Sequence, residues 1–377
     1  MRRRPAAFLL TMVPALLIQQ GCASLSPVGS PELARTLRSR GVDPASIVVP
    51  FEITDEMRAW AHAQVPQSTP AVERLDKLLG ALVDPLRFKL QYDPGHTATA
   101  REAFETHKAN CLAFTSLFVG LARELGVPAF FLDVDDVERF EKDGDLMVVS
   151  GHVSGGYDIG GGKLKILDFT PQAQPGYRRV HPLPDVTAVA LYYSNRGAEL
   201  IRVGRSNEAL SWLRQAVTID PELGGAWVNL GVGLRRAGDL AGAEAAYRKA
   251  LEVDPQAAAA YTNLAALLRA RGLDSEAAGL LGLAAQANSR NPFSYIALGD
   301  LALAHGRLDE ARRFYQKALR LNRDDAEVYA ALGQVALAGG DRGEARRWLR
   351  KAEARNRENE RVRQLGGRLD PPRSEGR

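Results

Sequence analysis

The chain has 377 residues, with 49 basic against 45 acidic side chains, 45% hydrophobic residues and only two cysteines. That length suits two domains, and two cysteines are too few for a disulfide scaffold or a zinc site built from several thiolates. Arg2, Arg3 and Arg4 lie in a segment expected to be removed. Taking three from 49 leaves 46 basic against 45 acidic residues, which excludes a basic nucleic-acid surface as the reading of the whole chain.

The opening MRRR, the apolar run Pro5 to Ile18 and then Gln19, Gln20 and Gly21 read as a secretory signal over residues 1–21, too short to span a bilayer. The following Gly21-Cys22-Ala23-Ser24 resembles a bacterial lipoprotein signal. The resemblance implies lipidation of Cys22 and a membrane anchor through that lipid. With Ala23 rather than Asp next, it implies an outer-membrane lipoprotein facing the periplasm. Gln19 stands where such signals usually carry an aliphatic residue, so cleavage after Ala23 to give a soluble periplasmic protein is the alternative. On either reading Cys111 is left as the lone mature cysteine of an oxidising compartment, buried and inert or reactive for a purpose. Residues 22–50 read as a linker in which Ser, Pro and Gly are frequent.

Residues 51–185 read as a mixed domain. Thr54 caps a helix through "DEMRAWAHAQ", and Pro70 opens another, "PAVERLDKLLGALVD". Asn110 caps a third, whose stripe is Leu112, Leu117, Phe118, Leu121 and Leu125 and which Gly126 and Pro128 end. Cys111 therefore falls in a first turn, where N–H groups and the macrodipole favour a thiolate. Ala129 to Val134 reads as a strand. "LMVVSGHVSGGYD" and "KLKILDF" read as two further strands, joined at "IGGG" in a hairpin. A tight turn near Gly160 and Gly161 pairs position i with about 320 minus i, placing His152 opposite Asp168 within a residue. Opposed Cβ atoms lie about 4.5–5.5 Å apart, near enough for a carboxylate to orient an imidazole. Thiol, imidazole and carboxylate then supply nucleophile, general base and orienting acid. His107, four residues before Cys111, is a rival base. His62, His96, His181 and His305 are too scattered for a metal site, and neither a metal nor a cofactor is expected.

"NCLAFTSLFVGLARELGVPA" around Cys111, "GHVSGGYD" around His152 and "LDFTP" around Asp168 resemble the transglutaminase-like superfamily, the papain-related thiol enzymes, over roughly Ala71 to Pro171. The resemblance implies an α+β fold that runs cysteine helix, histidine strand, aspartate strand. Cys111 is then the nucleophile, His152 the base and Asp168 its partner. The implied reaction acts on amide or peptide bonds through a cysteine thioester, resolved by water or by an amine. The Cys111 backbone N–H is one candidate oxyanion donor and Asn110 another. His152 is followed by Val153 and Ser154, where Ala-Trp is common in the family, so the walls of the substrate groove differ.

From Ala190 the sequence repeats every 34 residues. Gly204, Gly238, Gly272, Gly306 and Gly340 fall in register, as do Ala209, Ala243, Ala277, Ala311 and Ala345, and Ala216, Ala250, Ala284, Ala318 and Ala352. Tyr193, Trp227, Tyr261, Tyr295 and Tyr329 open the first helix of each unit. This is the tetratricopeptide period, and it predicts an all-α solenoid of five repeats over 187–357, then a polar capping helix and tail over 358–377. Such arrays bind a protein or peptide partner in a concave groove. Asn195, Asn229 and Asn263 recur on the first helix, with Arg202, Arg235, Arg236 and Arg269 nearby. In related repeat proteins asparagines there bond an extended peptide backbone; the alternative is that they are consensus packing residues. The rival to an enzyme is a non-catalytic envelope scaffold that uses the array and retains an inactive thiol fold.

Overall fold

The computed structural model describes residues 10–12, 31–84, 86–134, 139–143, 146–150, 153–158, 164–167 and 180–370. The chain falls into two compact units, Met1–Glu141 with Val148–Asp239, and Lys142–Met147 with Leu240–Arg377. These limits differ from the domain limits at 185–187 read from the sequence.

The first unit is built on a five-stranded antiparallel sheet. Its members are β1 (Leu10–Met12), β4 (Ala129–Val134), β7 (Val153–Asp158), β8 (Leu164–Leu167) and β9 (Val180–Leu183), in the order β1-β8-β7-β4-β9. Two small ribbons accompany it, β2 (Gln91–Tyr92) with β3 (Lys108–Ala109), and β5 (Arg139–Asp143) with β6 (Leu146–Ser150). The helices are α1 (Pro31–Ser39), α2 (Asp55–Gln64), α3 (Ala71–Val83), α4 (Ala100–Thr106) and α5 (Cys111–Glu124), then α6 (Asp185–Arg202), α7 (Ser206–Ile219) and α8 (Gly224–Arg236).

Two expectations change here. "LMVVSGHVSGGYD" forms two strands in different sheets, β6 and β7, instead of one. β6 ends at Ser150 and β7 begins at Val153. The supposed linker contains α1, which buries Leu33 and Leu37 against α6. A stripe of two leucines four apart is too short to stand out as a period, yet it is one full helical contact. The apolar N-terminal stretch supplies β1, with Leu10, Thr11 and Met12 paired to Leu167, Ile166 and Lys165. Cleavage of residues 1–21 as a signal would remove β1 and leave β8 as the edge strand of this sheet.

Helix α5 is the centre of this unit. It packs on β7 and β4 and also meets α2, α3 and α4. Its close approach explains the glycines of "VSGGYD". A Cβ on Gly155 would lie 3.0 Å from the Phe118 ring, and one on Gly156 would lie 2.5 Å from Leu132 Cδ1 on the other face.

In the second unit, α9 (Leu240–Val253), α10 (Ala258–Ala270), α11 (Asp274–Ala287), α12 (Pro292–Ala304), α13 (Leu308–Leu321), α14 (Ala326–Ala338) and α15 (Arg342–Glu353) continue the helical repeat, and α16 (Glu360–Leu369) closes it. All ten register alanines of the array are fully buried. The five register glycines have φ between +71° and +88°. At Gly272 this left-handed residue lets the Leu273 N–H reach back to the Leu268 carbonyl at 3.0 Å, ending the first helix of the pair. The terminal helix is less polar than expected, since it buries Val362, Leu365 and Leu369. Arg361 also bonds Asp300, which accepts the Tyr315 hydroxyl at 2.6 Å.

One ion pair here makes the array acid-sensitive. Arg312 donates twice to Glu344, at 2.7 and 3.1 Å, and Trp348 Nε1 adds a bond at 3.1 Å. These bonds hold the Glu344 carboxyl down to about 2, against an ordinary 4.5. The folded value is depressed, so the contribution is present above about pH 4.5 and is lost as pH falls toward 2. Between pH 5 and pH 3, Tm should fall by about 2 °C more in the parent than in Glu344→Gln. Parallel curves for the two proteins would refute this.

Candidate active site

Cys111 is the first residue of α5 and is partly exposed, in a helix that is otherwise almost wholly buried. Asn110 caps it: its Oδ1 accepts the Ala113 N–H at 2.9 Å, and its Nδ2 donates to Thr97 Oγ1 at 2.9 Å. The amide offered as an oxyanion donor therefore has its oxygen and one of its hydrogens engaged in positioning the helix start. Thr97 is held in turn, since its N–H donates to Glu199 Oε1 at 2.6 Å, and Arg196 binds the same carboxylate at 2.8 Å. A line of bonds thus runs from α6 to the residue before the thiol. The sequence reading missed Thr97 and Glu199, because neither stands in a motif. It also missed α4, although Thr99 and Glu102 form a capping box that a Thr-x-x-Glu search finds.

This line predicts that Thr97→Val slows alkylation of Cys111 near neutral pH by about three- to tenfold, the worth of one lost neutral hydrogen bond, whereas Thr97→Ser does not. The check is the rate of iodoacetamide labelling against pH. Equal rates in parent and Thr97→Val would show that the line of bonds does not reach the thiol.

The start of β7 lies against the same end of α5. Thr115 Oγ1, one turn beyond Cys111, donates to the Val153 carbonyl at 3.4 Å, and Phe118 lies over Gly155. Helix and strand therefore advance together. His152 precedes Val153 in the chain and Asp168 follows Leu167; both lie outside the described residues, as does Cys22. The described pairs of β7 and β8, Gly155 with Leu167 through Asp158 with Leu164, have a register of 322 minus i. The expected register was about 320 minus i. The described part of β7 ends at Asp158 and that of β8 starts at Leu164. A shift of two residues keeps the alternation of faces; a shift of one would have reversed it.

The rival base, His107, caps α4 in a left-handed conformation with φ of 56°. Its exposed ring stacks on Phe88 at 4.2 Å. His62 pairs with Glu124, His96 with Glu199 and His305 with Asp274, each on a different carboxylate. Among the described residues no group of three metal-ligating side chains comes together, and no helix is long and apolar enough to cross a membrane.

The repeat residues have separate fates. Asn195 is partly buried on α6. Asn229 is buried on α8 and donates to Ser194 Oγ at 3.0 Å, inside the fold. Asn263 is buried on α10 and bonds the main chain of Met147. Arg202 is exposed and lines a cavity of about 380 Å³ with Arg196, Glu199 and Arg205. Arg235 and Arg269 are half-buried, and Arg236 is exposed.

A thiol opening a buried helix on an antiparallel sheet, continued by stacked helix pairs, defines a two-part protein of α+β thiol fold and all-α solenoid. The chain carries a transglutaminase-like superfamily domain, matched by the family model over residues 58–132, followed by tetratricopeptide repeats matched over 190–223, 224–257 and 302–369. This composition supports a protein-interaction role. No curated protein matches the chain. Among solved structures, the repeats are similar to one described as "Functional Characterization of Pseudomonas Aeruginosa pilF", at 26% identity and TM-score 0.43, covering 48% of this chain and 82% of that one. A thermophilic tetratricopeptide protein of Thermus thermophilus, TTC0263, is 21% identical with TM-score 0.43, covering 48% and 98%. YrrB, described as having an unusual peptide-binding site, is 19% identical with TM-score 0.36, covering 47% and 91%.

Proposed function

We propose that this chain is an exported thiol enzyme, anchored through lipid on Cys22 to the outer membrane and facing the periplasm, that acts on amide bonds and uses its array to bind a protein partner. Cys111 gives its proton to His152, and the sulfur attacks the amide carbonyl carbon. The backbone N–H of Cys111 meets the oxyanion, and Asp168 holds the imidazole. Collapse expels the amine, which takes the proton back from His152 and leaves a thioester on Cys111. Water then attacks the thioester, with His152 accepting its proton and returning it to the sulfur, to release a carboxylic acid. An amine in place of water would make a cross-link; water is the acceptor always present.

The observation that carries this reading is the bond from Thr115 to the Val153 carbonyl, which ties the strand following His152 to the helix one turn from Cys111. The test is alkylation by a peptidyl acyloxymethyl ketone, a thiol-directed substrate mimic whose methylene carbon bonds the sulfur as its carboxylate leaves. Cys111 should be modified in the parent and not in His152→Ala. If Cys111 is never modified, the enzyme reading falls and the array-based scaffold remains. Anchoring is tested separately, because Cys22→Ser should release the protein from the detergent phase. A mature N-terminus at Ser24 without lipid would replace the anchor with a soluble periplasmic form.

A further inference from the structure

Asn263 is fully buried on α10, at the register position it shares with Asn195 and Asn229. Its Oδ1 accepts the Met147 N–H at 2.8 Å, and its Nδ2 donates to the carbonyl of the same residue at 2.8 Å. One primary amide thus satisfies both main-chain groups of a single residue, as a neighbouring strand does for a bonded pair in an antiparallel ladder. Only one orientation of the asparagine fits both bonds. Leu146 and Met147 are each 1% exposed, so the two main-chain groups have left water along with the side chains and require these partners. Residues Lys142–Met147 belong to the second unit, although the chain reaches them between β4 and β7. They reach this site within a ribbon whose connecting sequence is Gly144-Asp145.

The clamp touches only atoms that every peptide has. What selects an occupant is therefore an extended backbone with flanking side chains apolar enough to be buried, as Leu146 and Met147 are. We propose that α10 carries a strand-binding site, that Leu146-Met147 of the same chain is its resident occupant, and that an extended apolar segment of a partner protein engages this repeat by displacing it. The resident strand is tethered, at an effective concentration on the order of millimolar, and an incoming peptide is weakened by the fraction of time the site is filled. The inference rests on the partner-binding reading of the array and is independent of the thiol's chemistry.

The test uses the full chain and a fluorescent peptide of sequence DGDLMVVS, residues 143–150. Met147→Pro removes the N–H that Asn263 accepts and frees the site. It should bind the peptide at least tenfold more tightly than the parent, and adding Asn263→Leu should abolish the gain. In an otherwise parental chain, Asn263→Leu should speed hydrogen exchange of the Met147 amide at least tenfold while α12 to α15 keep their protection. Should Met147→Pro not fold, the exchange measurement decides alone. Equal peptide affinity in parent and Met147→Pro, or a gain that survives Asn263→Leu, overturns the site. An unchanged Met147 exchange rate in Asn263→Leu overturns the resident strand. A partner protein that binds parent and Met147→Pro equally well overturns the displacement while leaving partner binding by the array intact.

Discussion

Cys111→Ala is expected to lower hydrolysis of a short amide substrate by about 10⁴-fold or more, to the level of the solvent reaction, with the circular dichroism and Tm of the parent retained. Truncation by one sulfur at the edge of the α5 start leaves the Asn110 cap and the buried face of α5 untouched. Asp168→Asn should cost on the order of 10⁴ in kcat by leaving the imidazole in the wrong tautomer, with little change in KM. The measurement is turnover of a chromogenic peptide amide by parent and variants under one set of conditions. Comparable turnover in Cys111→Ala and the parent would sink the acyl-transfer reading outright, since no other residue in it can form the thioester.

The second large effect is on stability. Arg123, with its side chain only 5% exposed, leaves the end of α5 and donates twice to Asp185 in the first turn of α6, at 2.7 and 2.8 Å. Its Nε also donates to the Ala129 carbonyl at 2.9 Å, at the first residue of β4. Arg123→Ala strands a half-buried carboxylate and a main-chain carbonyl together, and removal of one partner from such a pair costs about 3–5 kcal/mol. Chemical denaturation of the full chain should show this as a lower midpoint with an unchanged slope. Asp185→Asn, which keeps an acceptor and removes the charge, should cost less. A loss below about 1 kcal/mol in Arg123→Ala would mean that water replaces the guanidinium freely, as at a surface pair.

Much of this was legible in the sequence wherever a local rule decides the outcome. Asn110, Thr54 and Gly126 act as caps and stops because capping is settled within four residues. The 34-residue register of glycines and alanines appeared intact, because a solenoid repeats one local environment. What escaped depends on distant partners. Phe118 and Leu132 close over Gly155 and Gly156 of β7, and none of this is visible in a glycine-rich string. The use of Asn229 and Asn263 was equally hidden. Identical residues at one repeat position bond a serine hydroxyl in one case and a main-chain strand in the other. At the candidate site, the helix that Cys111 opens and its Asn110 cap were readable, whereas Thr97 and Glu199, a hundred residues apart, meet only in the fold.

Helix α6 has a history to suggest. By period it is the first helix of the first repeat, yet its side chains are committed elsewhere. Asp185 holds Arg123, Glu199 holds Thr97, and the Tyr193 hydroxyl accepts the Val48 N–H at 2.8 Å. Solenoids lengthen and shorten by duplication or loss of whole units, which costs little where each unit meets only its neighbours. Deleting the unit that contains α6 would instead remove three fixtures of the thiol fold at once. Lineages carrying this arrangement should therefore vary their repeat number between α9 and α15, keep a closing helix like α16 at the far end, and leave the first helix fixed in place.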